Sequence, residues 1–309
     1  MIFNNTNVIE DLLNSSNLKA LDSLLLPKVR TFNRSQSFRS ALMLSADNIK
    51  HLNKIPELNA ECIILNLEDG VSSEQKPFAL RAAALTLSLL PQCDKKLVVR
   101  VNALDEGGRE EIKFLNAFQP DAIRVPKIRT AEDVKEALEL LNEPIELHLS
   151  IETKEAWLTM GELSIEPRVT AYYLGILDLL ADMGLSQTLI HPDNPMMHYM
   201  LSHFLITSKA AGVKPISFVF QDYRDTQIFN RWLQLEKGLG FNAKGCLSPT
   251  QVQAVHSVFA IDEAMISKAR EIVRLFEIMR NSGISRFSHD DYGFIDEPIY
   301  KGALAILRL

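Results

Sequence analysis

Cysteine is scarce in this chain, and the three that occur, Cys62, Cys93 and Cys246, form no CxxC pair. That spacing excludes a zinc ribbon and offers no disulfide framework. It fits a reducing compartment, and the cytoplasm is the expected location. The seven histidines make no HxH or HxxH pair, which removes the usual zinc arrangement. No GxSxG elbow is present for a serine hydrolase, and no GxGxxG follows the first apolar run as a dinucleotide fold would require. Positive charge is not in excess: 33 Lys and Arg face 39 Asp and Glu, a formal net charge of −6. Neither a nucleic-acid footprint nor attraction to an anionic membrane surface is expected. No apolar run reaches the length of a membrane span. Residues 1–26 lack the basic segment and long apolar stretch of a secretory leader.

What is present is an alternation. Hydrophobic residues make up 47% and charged residues 23%, ordinary values for a globular chain of 309 residues, which is one large domain or two small ones. Short runs rich in Ile, Val and Leu fall near 39–45, 61–67, 97–102, 121–125, 145–151, 168–176, 215–219 and 243–247. Segments of helical periodicity separate them, near 47–55, 73–90, 108–117, 130–141, 154–163, 195–211, 223–238 and 249–257. Eight strand–helix repeats are the count that closes a (β/α)8 TIM barrel, an α/β fold, with a doubly wound open sheet as the alternative. The barrel is expected over 38–258. An N-terminal extension, 1–37, has leucines at helical spacing over 11–26 and reads as a packing or oligomer arm. A C-terminal helical extension, 259–309, holds a long helix near 262–281 and a short apolar helix near 297–308. Helix starts are expected at Ser72-Ser73-Glu74, at Thr130 with Asp133 as a capping box, and at Ser248-Pro249.

The apolar runs share a second property: several end in charge. Glu68-Asp69 follow the second run, Arg100 and Asn102 end the third, Lys127 follows the fourth, Glu152 ends the fifth and Asp178 follows the sixth. The C-terminal strand ends of a parallel barrel are where its active site lies. Glu152 and Asp178 would suit Mg2+, which takes carboxylate oxygens and keeps water or substrate oxygens as well. Arg100, with Asn102 on the same face, would grip a carboxylate or an enolate oxygen. Glu68 and Asp69 would hold metal-bound water or orient a basic side chain. Lys127 reads as structural or anion-binding ahead of a Schiff-base amine. Gly175 would permit a tight exit from the sixth strand.

These motifs resemble the HpcH/HpaI aldolase and citrate lyase beta-subunit family, which includes malyl-CoA and citramalyl-CoA lyases. The residues that carry the likeness are Arg39-Ser-Ala-Leu-Met-Leu44, Leu67-Glu-Asp-Gly-Val71, Val99-Arg-Val-Asn-Ala103, Val125-Pro-Lys-Ile128, Ile151-Glu-Thr153, Gly175-Ile-Leu-Asp178, Lys244-Gly-Cys-Leu-Ser-Pro249 with Gln251, and Phe294-Ile-Asp-Glu-Pro298. They stand in the family's order. The resemblance implies a Mg2+-dependent carbon–carbon lyase of retro-aldol or Claisen type, acting on a citryl, malyl or citramalyl thioester. It implies Glu152 and Asp178 as metal ligands, Arg100 as the substrate or oxyanion clamp, and Glu68 and Asp69 as support. Asp296 matches a catalytic acid that enters a neighbouring subunit's site, so a homo-oligomer, with a trimer favoured, is implied, and an acyl-carrier protein is a partner to consider. The sequence departs from the family at Ser45-Ala46 in place of Pro-Gly, Asn66 in place of Asp, Leu177 in place of an acid and Ser248 in place of His. The alternatives are a class II aldolase acting on a free 2-oxo acid and a non-catalytic paralogue or assembly subunit.

Overall fold

The apolar runs pair in chain order. They form β1 (Ser40–Ser45), β2 (Cys62–Asn66), β3 (Lys96–Arg100), β4 (Ala122–Val125), β5 (Glu146–Ile151), β6 (Val169–Leu174), β7 (Lys214–Ile216) and β8 (Lys244–Cys246). The computed structural model describes residues 2, 11, 17–27, 29–35, 37–260 and 262–307. Within them the eight strands run β7-β6-β5-β4-β3-β2-β1-β8, parallel throughout. Ser217 closes the ring between β7 and β8. Its N–H donates to the carbonyl of Ala243 at 3.0 Å, and its carbonyl accepts from the Gly245 N–H at 3.0 Å. Neighbours in sequence are neighbours in space, with no reversal of strand order, so the doubly wound alternative falls.

The helices arise where the periodicity places them, and local signals set most of their starts. Thr130 accepts from the Asp133 N–H while Asp133 accepts from the Thr130 N–H, a full capping box. Ser248 caps Pro249–Val258 by accepting from the Gln251 N–H. The expected cap at Ser72–Glu74 does not form. That helix begins at Lys76, after Gln75, with a proline in its first turn and no side-chain cap. The Ser72 carbonyl instead accepts from Gln75 and Lys76, so the serines belong to a turn. At the N-terminal side a short helix, Leu18–Asp22, puts Leu21 into the main core, and Arg81 pairs with Asp22 at 2.7 Å. The helical spacing over 11–26 is not carried through: residues 23–26 leave the helix, and 12–16 lie outside the described residues.

Two apolar clusters follow from side-chain alternation. The larger lies between strands and helices. The smaller lines the barrel interior with Ala41, Cys62, Ile64, Val98, Ala122, Tyr173 and Ile216. Several of these are small, which leaves room for polar groups in the interior. On β5 the residues Glu146, His148 and Ser150 alternate on one face, all buried. Lys96 pairs with Glu146 at 2.9 Å, and Tyr173 Oη lies 3.2 Å from His148 Nδ1. His148 Nε2 is 3.6 Å from Glu146, too long for a hydrogen bond.

Burial, with Lys96 and Arg124 adding to it and Glu146 opposing, pulls His148 down to about 4. The folded state therefore prefers neutral imidazole. The stability this gives is complete above the ordinary value of 6.5 and is lost as pH falls toward 4. We expect urea denaturation to show up to about 3 kcal/mol lost over that window, and His148→Gln to flatten the slope there. An unchanged slope in the variant would locate the acid sensitivity elsewhere.

The chain divides into two compact units, Met1–Phe259 and Ala260–Leu309. The second holds a long helix, Glu263–Asn281, then an antiparallel hairpin of β9 (Phe287–His289) and β10 (Gly293–Ile295), then the helix Glu297–Leu307. Its own core is Ala269, Ile272, Phe276, Ile295 and Ala303, with the Phe276 and Tyr300 rings stacked at 4.6 Å. The hairpin was not expected from the sequence: strands of three residues carry too little alternation to read.

Candidate active site

At the C-terminal strand ends a cavity of about 440 Å³ opens. Asp69, Arg100, Arg124, Glu152, Gly175, Leu177 and Asp178 are among the residues that line it. Arg100, the last residue of β3, is the hub. Its Nη2 lies 2.5 Å from Glu68, 3.6 Å from Asp69 and 3.8 Å from Glu152. Glu68 and Glu152 are both almost fully buried. The turn after β2 fixes the first two acids: the Asp69 N–H donates to Glu68 Oε2 at 2.8 Å, and Asn66 Nδ2 donates to the Asp69 carbonyl at 2.6 Å. Gly70, at φ +89°, makes that turn possible. Burial pushes the Glu68 carboxyl up to about 7, against the pull of Arg100.

Glu152 follows β5 and is held from two sides. Its Oε1 accepts the Lys127 N–H at 2.8 Å, presented by a left-handed Lys127 with φ +53°. Its other oxygen lies over Gly175, where an added Cβ would sit 2.4 Å from Oε2. Gly175 is therefore required by close approach. Its φ is −90°, so a special turn conformation is not the reason, contrary to the sequence reading.

Asp178 also differs from expectation. β6 ends at Leu174 and not near 176, and Asp178, expected just after the strand, sits in the first turn of a helix, Ile176–Asp182, that the sequence did not announce. Burial raises the Asp178 carboxyl, and Glu152 and Asp69 raise it further. Carboxylates gathered closely enough to repel one another are a fit for a divalent cation, which would relieve that repulsion. Among the described residues no group of three His, Cys, Asp or Glu is arranged to hold an ion. Mg2+ needs no such cage, since one or two carboxylates with substrate oxygens and water suffice. Glu152 and Asp178 fit that requirement.

Asn102 does other work than expected, and Lys127 is held in ion pairs, as its structural reading has it. Asn102 lies beyond the end of β3 and is fully buried, its amide donating to Glu111 at 2.5 Å and its carbonyl oxygen accepting from Lys76. It braces the loop and does not line the cavity with Arg100. Lys127 Nζ stands 3.4 Å from Glu106 and 3.7 Å from Glu68. Although burial opposes them, these acids hold its ammonium above the ordinary range, the wrong direction for a neutral Schiff-base amine. Asp296 belongs to the second unit, where it accepts from the Ile299 N–H at 3.1 Å at the start of the last helix. Arg124, on the inner face of β4, lines the cavity and was missed. It sits within an apolar run and not at its end, so the strand-end pattern passed over it; a charged residue inside so short a buried strand was the available signal.

The profile of the HpcH/HpaI aldolase/citrate lyase family matches residues 39–249. A (3S)-malyl-CoA thioesterase of Cereibacter sphaeroides is 29% identical over 251 residues, 81% of this chain and 87% of the relative. Citrate lyase subunit beta of Leuconostoc mesenteroides subsp. cremoris is 26% identical over 289 residues, covering 90% and 94%. The mitochondrial citramalyl-CoA lyase of Rattus norvegicus is 27% identical over 292 residues, covering 88% and 85%. Among solved structures, the citrate lyase beta subunit from M. tuberculosis complexed with oxaloacetate and magnesium superposes with a TM-score of 0.64 at 24% identity, covering 73% of this chain and 98% of that one. The Mycobacterium tuberculosis protein CitE in complex with magnesium, acetoacetate and coenzyme A gives 0.67 at 23% identity, covering 88% and 98%. The shared fold is the (β/α)8 barrel.

Proposed function

The chain belongs to the HpcH/HpaI aldolase/citrate lyase family, and from that premise we propose that it is a Mg2+-dependent carbon–carbon lyase acting on a hydroxyacyl thioester of the citryl, malyl or citramalyl kind. The observation that carries the reading is the convergence of Glu152, Asp178 and Arg100 on one cavity at the strand ends. Glu152 and Asp178 would hold the cation, which supplies Lewis-acid polarisation of the 2-oxygen and a template for the adjacent carboxylate.

The chain's own residues do the rest. Arg100 neutralises the oxyanion that develops as the bond breaks. Glu68 and Asp69 fix the Arg100 guanidinium in place. A base removes the hydroxyl proton, the bond between the carbinol carbon and the thioester α-carbon breaks, and its electron pair goes to the thioester enolate. Protonation of that enolate releases an acyl thioester and a 2-oxo acid. Asp296 is the proposed base, delivered from a second copy of the chain in a homo-oligomer, with a trimer favoured. The carrier is CoA or an acyl-carrier protein. A second reading, an aldolase acting on free 2-oxo acids, draws on the loop after β1. There Ser45 Oγ donates to Asp47 at 2.6 Å, a polar loop where the family has Pro-Gly.

One assay separates the readings. Thioesters and the matching free acids are offered to the protein with Mg2+, and 2-oxo acid release is followed. We expect thioester turnover that stops with a chelator and returns with Mg2+. Turnover of free acids alone would select the second reading, and no turnover of either class would set both aside.

A further inference from the structure

Arg124 has no role so far. It is 4% exposed, yet it lines the same cavity as Arg100, Glu152 and Asp178. The other buried cations among the described residues each have a carboxylate: Arg30 with Asp121, Lys95 with Asp94, Lys96 with Glu146, Arg100 with Glu68 and Lys244 with Glu236. Among the described residues none comes within ion-pair distance of Arg124. Its Nε donates to Ser150 Oγ at 2.9 Å, and its guanidinium lies over the Tyr173 ring at 4.2 Å. Nη1 is buried without a hydrogen-bond partner. Burial, and then Arg100, pulls Arg124 down to about 10, so it stays charged at neutral pH.

A buried guanidinium without a counter-charge is costly, and the cost is met when a ligand brings the charge. The Tyr173 face and Ser150 hold the planar group in one orientation. Each arginine keeps one buried nitrogen without a hydrogen-bond partner, Nε of Arg100 and Nη1 of Arg124, but Arg100 already pairs with Glu68 while Arg124 has no carboxylate within ion-pair distance among the described residues. We propose that Arg124 binds a second carboxylate of the substrate, so that the acid portion taken by this site is a short dicarboxylate. Arg124 is then a specificity-determining residue. The word substrate rests on the lyase reading; the anion site itself does not.

Calorimetry tests the two apart. Without metal, malonate and acetate probe the anion site. With Mg2+, pyruvate probes the metal site, and oxaloacetate both. We expect malonate to bind better than acetate. Arg124→Met should weaken malonate and oxaloacetate by about ten- to a hundredfold and leave pyruvate within about twofold. Arg124→Lys, which keeps the charge and loses the fork, should fall between and covers the case in which the Met variant does not fold. Asp178→Asn should do the reverse, losing Mg2+-dependent pyruvate and keeping malonate. The proposal is overturned if the wild-type protein does not prefer malonate, if neither Arg124 variant weakens it, or if pyruvate weakens equally. If malonate responds to Arg124 while pyruvate never binds with Mg2+, the lyase reading fails and the anion site stands.

Discussion

Glu152→Gln and Asp178→Asn are each expected to lower Mg2+-dependent turnover by about a thousandfold or more, because a bound cation supplies several kcal/mol of charge stabilisation in the reaction. The same changes should not unfold the protein. Asp178 is raised by burial and by the repulsion of Glu152 and Asp69, so its charge opposes folding when no cation is present. Removing that charge should leave the melting temperature of the metal-free protein unchanged or higher. Glutamine at 152 keeps an oxygen to accept the Lys127 N–H and nearly the same volume over Gly175. Lower activity with equal or greater stability is the signature of a functional carboxylate pair. A structural pair would lose both together. Kinetics across a Mg2+ titration, with thermal denaturation in chelator, reads both quantities.

The second large effect is expected at Arg100. Arg100→Met should lower kcat by about a hundred- to a thousandfold, the range for losing one preorganised oxyanion donor. It should also destabilise, by less than the roughly 3–5 kcal/mol of an unpaired buried charge, since burial already holds Glu68 up at about 7 and the loss of Arg100 leaves it protonated at neutral pH. The two effects can be separated. Adding Glu68→Gln replaces the unpaired acid with a neutral amide and should return much of the stability, most clearly above about pH 7, without returning kcat. Arg100→Lys is not expected to rescue, because the shorter lysine side chain does not carry its ammonium to the point where Nη2 meets Glu68, Asp69 and Glu152. If the double variant regains turnover along with its stability, Arg100 serves the fold and not the reaction.

The barrel was legible because its strands are buried on both faces and its helices are amphipathic, so the period changes at each boundary. The site was legible where a strand ended in charge, as at Glu68, Arg100 and Glu152. It was less so where the chain turned early. Asp178 follows a strand that stops at Leu174 and begins a helix at once, which apolar Ile176-Leu177 concealed. Asn102 sits two residues beyond Arg100, but the strand ends between them and the alternation lapses. Arg124 was hidden by its neighbours: an interior charge becomes visible when the ring closes and, among the described residues, leaves it no carboxylate within ion-pair distance. Ser248, a departure from the family pattern, has a local explanation as the cap of Pro249–Val258.

Crystals of the protein soaked with Mn2+ and pyruvate would test the central claim most directly, the manganese being located by its anomalous signal. One ion is expected in the strand-end cavity, bound by Glu152 and Asp178 at about 2.0–2.2 Å, with pyruvate oxygens completing its shell. An ion held by other residues, or pyruvate bound in the cavity with no ion beside those two carboxylates, would contradict it.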